Sequence, residues 1–163
     1  VQGEKSPLYA VVVGVSAGLV ALIHIFAGAR EARRDARAVE TDAEGWLRAG
    51  PPNDIPDTRA RIVTPPSGER IAVFRDGARI YAISNVCRHQ GGPLGEGRII
   101  DGCVTCPWHG FQYRPQDGRA PAPFTERIAT YRTRIADGVV FVHPEPITSG
   151  DEVPPARTDG ASP

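Results

Sequence analysis

Cys87-Arg88-His89 is answered seventeen residues further on by Cys106-Pro107-Trp108-His109. Each half-site puts a thiol and an imidazole within three or four residues, so any fold must bring two short loops together if the four donors are to act jointly. The flanking residues suit that task. Gly91-Gly92-Pro93-Leu94-Gly95 follows the first half-site, and Pro107 and Gly110 punctuate the second. Gly and Pro permit tight turns and close approach of backbone to a bound group.

Several readings of two Cys and two His compete. A structural zinc ion is one. Zinc modules, however, usually pair Cys with Cys and His with His along the chain, and this order differs. Four ordinary core residues without metal is another, and it needs a chance coincidence of type and spacing. The reading that uses every feature is a 2Fe–2S cluster in which His replaces Cys on one iron. Cys87 and Cys106 then hold one iron, and His89 and His109 the other. The neutral imidazoles leave their iron less negative, so it accepts an electron more readily.

The run 87–97, Cys-Arg-His-Gln-Gly-Gly-Pro-Leu-Gly-Glu-Gly, with 106–113, Cys-Pro-Trp-His-Gly-Phe-Gln-Tyr, resembles a Rieske domain. The resemblance covers residues 46–143. It implies a small antiparallel β-sandwich with two cluster-binding loops, one 2Fe–2S cluster per chain, and the ligand set Cys87, His89, Cys106 and His109. Gly91, Pro107 and Tyr113 would surround that set. The Rieske proteins of cytochrome bc complexes add a disulfide between the loops, at positions that are Gly92 and Trp108 here. They also have a serine donor where this chain has Phe111, while the nearby tyrosine is kept as Tyr113. The match is therefore to the ferredoxin and oxygenase branch. With one hydroxyl donor fewer, the expected potential lies toward the low end of the Rieske range, roughly −150 mV.

The rest of the second half reads as all-β. Asp76-Gly77, Asp101-Gly102, Asp117-Gly118 and Asp137-Gly138 sit among short apolar runs such as Ile71–Phe74, Ile80–Ile83 and Val139–Val142. Asp-Gly between such runs is a hairpin signal. Cys103, the third cysteine, reads as a small packed side chain, and one unpaired thiol without a disulfide fits a reducing compartment. Residues 144–163, rich in Pro, Ser, Thr and Gly, are expected to be disordered.

Residues 6–29 carry no charged side chain and are apolar almost throughout. They are long enough for a transmembrane helix within a segment 1–29. A signal peptide is the competing reading, but the run is long for a signal core and no basic cluster precedes it. Arg30, Arg33, Arg34 and Arg37 follow the run and only Lys5 precedes it, which places the C-terminal side in the cytoplasm by the positive-inside rule. Gly14 and Gly18 could admit another membrane helix, or simply be tolerated there. His24, on one face with Ala10 and Ala17, is either a haem-ligand candidate or a packed histidine. Residues 30–45 read as a helical connector. The chain has no Met and begins at Val1, so it is expected to be a fragment or processed remainder of something longer.

The expected function is that of a membrane-anchored one-electron carrier between a reductase and a membrane oxidoreductase. Zero net charge gives no footprint for nucleic acid. A mononuclear-iron triad needs two more His and a carboxylate, and only His24 and His143 remain, so no substrate-converting site is expected in this chain. Two alternatives stay open. One is the C-terminal Rieske portion of a larger membrane oxidoreductase, with a haem domain similar to ferric reductases upstream. The other, disfavoured by the missing disulfide and serine, is the Rieske subunit of a quinol–cytochrome c reductase.

Overall fold

A computed structural model of the chain describes residues 7–35 and 40–160. Lys5 and Arg37 of the orientation argument and residues 161–163 of the tail lie outside the described residues. The chain divides into two units, Val1–Ala38 and Val39–Pro163.

The first unit is helix α1, Pro7–Asp35. Pro7 suits a first helical position because its missing N–H would have no partner there. Within α1, Pro7–Arg30 has mean hydropathy 2.4 and no buried residue. Its 24 residues span about 36 Å, enough to cross a hydrocarbon core. Of the connector expected to be helical over 30–45, residues 30–35 are helical and residues 36–39 lie outside the described residues. At 40–45 the chain turns instead. Asp42 Oδ1 accepts the N–H groups of Glu44 and Trp46 at 3.0 and 2.9 Å, and Gly45 takes φ +81°. An Asp that bonds nearby N–H groups offers the backbone an alternative to helix.

The second unit holds the strands β1 Leu47–Gly50, β2 Ala60–Val63, β3 Ile71–Asp76, β4 Arg79–Ser84, β5 Arg98–Ile100, β6 Cys103–Thr105, β7 Gln112–Tyr113, β8 Thr130–Tyr131, β9 Thr133–Ala136, β10 Val139–Val142 and β11 Ala156–Arg157. They form three antiparallel sheets: β1-β10-β9, β11-β4-β3-β2 with β8 also on β4, and β5-β6-β7. The fold is thus the all-β architecture read from the sequence. Three of the four Asp-Gly pairs close hairpins: β3–β4, β5–β6 and β9–β10. At Asp101-Gly102 and Asp137-Gly138 both residues have positive φ, which matches the twist of the flanking strands. Asp117-Gly118 instead closes a tight turn, with Gly118 N–H donating to the Arg114 carbonyl at 2.9 Å.

The central sheet is buried on both faces. Ile71 and Val73 of β3 join Ile80 and Ala82 of β4 in one core with Leu47, Val140 and Val142. Their neighbours Ala72, Phe74 and Ile83 join a second core with Leu94, Ile99, Val104, Tyr113 and the sulfur-bearing Cys87 and Cys106. Successive side chains point to opposite faces, so continuous apolar runs in β3 and β4 reflect two covered faces. The small β5-β6-β7 sheet is thereby fixed against the central one.

The tail expected to be disordered from 144 is instead bound along this body. Ile147 and Thr130 exchange both backbone hydrogen bonds, at 2.8 and 3.0 Å, and the Val153 N–H donates to the Gln116 carbonyl at 2.7 Å. β11 then pairs with β4. Backbone pairing over long sequence separations leaves no local periodicity to read.

Candidate metal centre

The first candidate loop leaves the end of β4 and is fastened by buried Asn85. The Asn85 side chain accepts the Gly95 N–H at 2.7 Å, and its backbone pairs with Arg70 and Leu94 at 2.9 Å each. The second loop joins β6 to β7. Both close in the same way. Cys87 N–H donates to the Gly92 carbonyl and Gly91 N–H returns to the Cys87 carbonyl, at 2.9 and 2.8 Å. Cys106 N–H donates to the Phe111 carbonyl and Gly110 N–H returns to the Cys106 carbonyl, at 2.8 and 3.0 Å. Gly91 and Gly110 occupy matching positive φ, +76° and +71°, where a side chain would be strained. Pro107 is exposed in the second turn.

The four donors sort into two pairs. Cys87 and Cys106 are 2 % and 3 % exposed, and the Cys87 thiol is near enough to push the Cys106 thiol up. His89 and His109 are exposed, with ring centroids 5.1 Å apart at 86°. Among the described residues no three His, Cys, Asp or Glu side chains converge as they would on a single ion. A lone tetrahedral metal needs all four donors at one point, whereas a cluster that bridges its own two irons needs them in pairs. The arrangement fits the 2Fe–2S group, with the sulfurs inward and the imidazoles outward.

Burial pushes the Cys106 thiol up, the N–H groups of Trp108 and His109 pull it down, and the adjacent Cys87 thiol pushes it up again, for a net rise. A bound cation is what turns such thiols into thiolates. Tyr113 is fully buried, and its hydroxyl lies 3.6 Å from Cys87 Sγ while accepting the Arg88 N–H at 2.9 Å.

The two positions where a loop disulfide is missing nevertheless touch. A Cβ on Gly92 would come within 3.1 Å of the Trp108 indole and 2.8 Å of Cys106 Sγ. The loops are joined by a ring lying on a glycine rather than by a covalent bond, and all three cysteines are free of disulfides. Sequence reasoning missed the aromatic support of His89. Phe111 stacks on that imidazole at 5.4 Å and 7°, and Phe124 meets Phe111 at 4.9 Å. The departure from serine at Phe111 was the available signal. Of the remaining candidates, Cys103 is half-buried on β6. His143 packs edge-on against Trp46 at 5.0 Å. The His24 Nδ1 pairs with the Val20 carbonyl of its own helix at 2.8 Å.

A family model described as the Rieske [2Fe-2S] domain matches residues 45–132. The anthranilate 1,2-dioxygenase ferredoxin subunit of Burkholderia cepacia is 44% identical over 75 residues, covering 45% of this chain and 68% of that subunit. Cholesterol 7-desaturase nvd of Xenopus laevis is 33% identical over 107 residues, which are 60% of this chain but only 23% of that protein. Among solved structures, the complex of reduced oxygenase and oxidised ferredoxin in carbazole 1,9a-dioxygenase contains a chain 26% identical to this one, with a TM-score of 0.59. The alignment covers 64% of this chain and 97% of that one.

Proposed function

The chain belongs to the Rieske [2Fe–2S] domain family, and on that premise we propose that it is a membrane-anchored carrier of single electrons, working between redox proteins on the cytoplasmic face. The observation that carries this reading is that the two candidate thiols are buried while the two candidate imidazoles are exposed, with their rings 5.1 Å apart. Cys87 and Cys106 would hold one iron, and His89 and His109 the other. The cluster supplies reversible one-electron chemistry when bound. The protein's own part is ligation, exclusion of water and presentation. The second core keeps the sulfur side dry, N–H groups of the second loop face Cys106, and the imidazole edges lie at the surface where a partner can approach.

The name of the Burkholderia relative and the ferredoxin–oxygenase complex support an electron donor to an oxygenase, itself reduced by a reductase. The apolar length of α1 supports anchoring, and the arginines from Arg30 onward support a cytoplasmic domain. Extraction of expressed membranes tests both points. The protein should need detergent for release, and the Rieske domain should resist protease in right-side-out vesicles but not in inverted ones. Release by high salt, or digestion in right-side-out vesicles, would contradict this topology.

A second reading has one observation behind it. Nvd matches over less than a quarter of its own length, so this chain also resembles one part of a larger enzyme. In that case it would be the Rieske portion of a larger membrane oxidoreductase. Electron transfer to a separate oxygenase would favour the carrier instead.

A further inference from the structure

The surface beside His89 carries exposed arginines whose guanidiniums form no ion pair among the described residues. Arg88 directly follows the first cysteine, and with Arg127 it lines a groove of about 690 Å³. Arg127 also borders a second groove of about 440 Å³, shared with Arg119 and Phe124. The Arg127 Nη1 donates to the Ser149 carbonyl at 2.7 Å, and the Arg119 Nε to the Gly150 carbonyl at 3.0 Å. Neutral carbonyls aim a guanidinium without cancelling its charge.

All three arginines are exposed. Among the described residues none of their guanidiniums lies within ion-pair distance of a carboxylate, whereas the guanidiniums of Arg79, Arg114, Arg134 and Arg157 all do. The Arg119 backbone N–H does donate to Asp117 Oδ1, at 3.0 Å. Glu69 shares the first groove and Glu126 the second; neither carboxylate forms an ion pair with these guanidiniums, and that of Glu126 accepts the Thr125 N–H at 3.1 Å, so three cations face two carboxylates there. Gly150 is what permits the arrangement. At φ +79°, a Cβ there would come within 2.9 Å of Arg119 Nε and 3.1 Å of Arg127 Cδ. The bound carboxy-terminal segment therefore holds two of the three charges in place. Phe124, which lines the second groove, reaches His89 through Phe111.

We propose that Arg88, Arg119 and Arg127 form a cationic docking shelf, aimed by the Ser149-Gly150 carbonyls, that receives a carboxylate-bearing face of the protein redox partner. The proposal rests on the electron-transfer reading above. Charge of one sign beside a reactive edge steers association and loses its effect as salt rises.

The test uses the whole chain in a non-ionic detergent. A fluorescein-labelled deca-glutamate peptide serves as the binding probe. Hexacyanoferrate(III) and tris(phenanthroline)cobalt(III), each taking one electron from the dithionite-reduced protein, serve as anionic and cationic kinetic probes. Reversal of all three charges to Glu, or their neutralisation to Gln should the reversed protein not fold, should weaken peptide binding at low salt about tenfold or more. It should also slow the anionic oxidant and speed the cationic one, with both effects fading at high salt. Arg157→Glu, at the other end of β4, should change neither measurement. Equal peptide binding by wild type and variant, equal rate changes for both oxidants, or an equal effect of Arg157→Glu would overturn the shelf. Failure of the cluster reading is separable, because it would remove the paramagnetic signal of the reduced protein and leave charge-dependent peptide binding intact.

Discussion

The Tyr113 hydroxyl lies 3.6 Å from the Cys87 sulfur while its oxygen accepts the Arg88 N–H at 2.9 Å. Burial, and then the neighbouring Cys87, push this phenol well above its ordinary value, so it stays protonated. Toward a thiolate it can act only as donor. Such a donor favours the more negative, reduced state. Tyr113→Phe should lower the midpoint potential by about tens of millivolts, since a hydrogen bond to a charged group contributes roughly 1.5–3 kcal/mol and only part of that differs between redox states. Protein-film voltammetry reads the shift. An unchanged or raised potential would show that the hydroxyl does not tune the sulfur.

The exposed imidazoles, as proposed ligands, make a second prediction about the potential. Replacing a neutral imidazole by an anionic thiolate should stabilise the oxidised state. His109→Cys should therefore retain some cluster and lower its potential toward the plant-type ferredoxin range, about −400 mV. A redox titration followed by visible absorbance measures it, and a raised potential would refute the assignment of His109.

Gly97 packs where no side chain fits. A Cβ there would stand 2.1 Å from the Thr105 carbonyl oxygen and 3.0 Å from that of Leu94. Both obstacles are backbone, so neither can rotate aside. Gly97→Ala should destabilise the domain by about 1–3 kcal/mol and lower its melting temperature by several degrees. A melting curve identical to wild type would mean that β5 and β6 can separate without cost.

Asp42 links the chain entering the second unit to β9. Partial burial would raise its pKa, but the Trp46 N–H, the Arg134 guanidinium and the Glu44 N–H outweigh that and hold it below the usual 3.8. A carboxyl depressed on folding contributes stability that is fully present above its unfolded value and lost as pH falls through the folded one. Asp42→Asn should therefore melt lower than wild type at pH 7, with the gap narrowing below about pH 4. A gap that persists unchanged in acid would assign the effect to something other than this charge.

What the sequence made legible was local. Asp101-Gly102 and Asp137-Gly138 carried their turn chemistry openly, and the Cys-His half-sites named the candidate donors before any fold was known. Their chemistry sorted those candidates into a thiol pair and an imidazole pair, but that the thiols are buried and the imidazoles exposed is set by the fold. Long-range features stayed hidden. Ile147 on Thr130, β11 on β4 and the Gly150 carbonyl on Arg119 connect a segment whose composition reads as disorder to residues 17 or more positions away. Phe111 looked like a lost hydroxyl, yet its ring supports His89, because stacking depends on where the second loop folds rather than on spacing. At 40–45, helix propensity lost to one Asp side chain bonding its own backbone.

Pulsed electron paramagnetic resonance of the dithionite-reduced protein, with and without ¹⁵N-histidine labelling, reads the mixed sulfur and nitrogen ligation itself. The account predicts a reduced diiron signal with couplings from two distinct imidazole nitrogens, one of which disappears in His109→Cys. A diiron signal without nitrogen couplings, or a silent protein containing zinc, would contradict it.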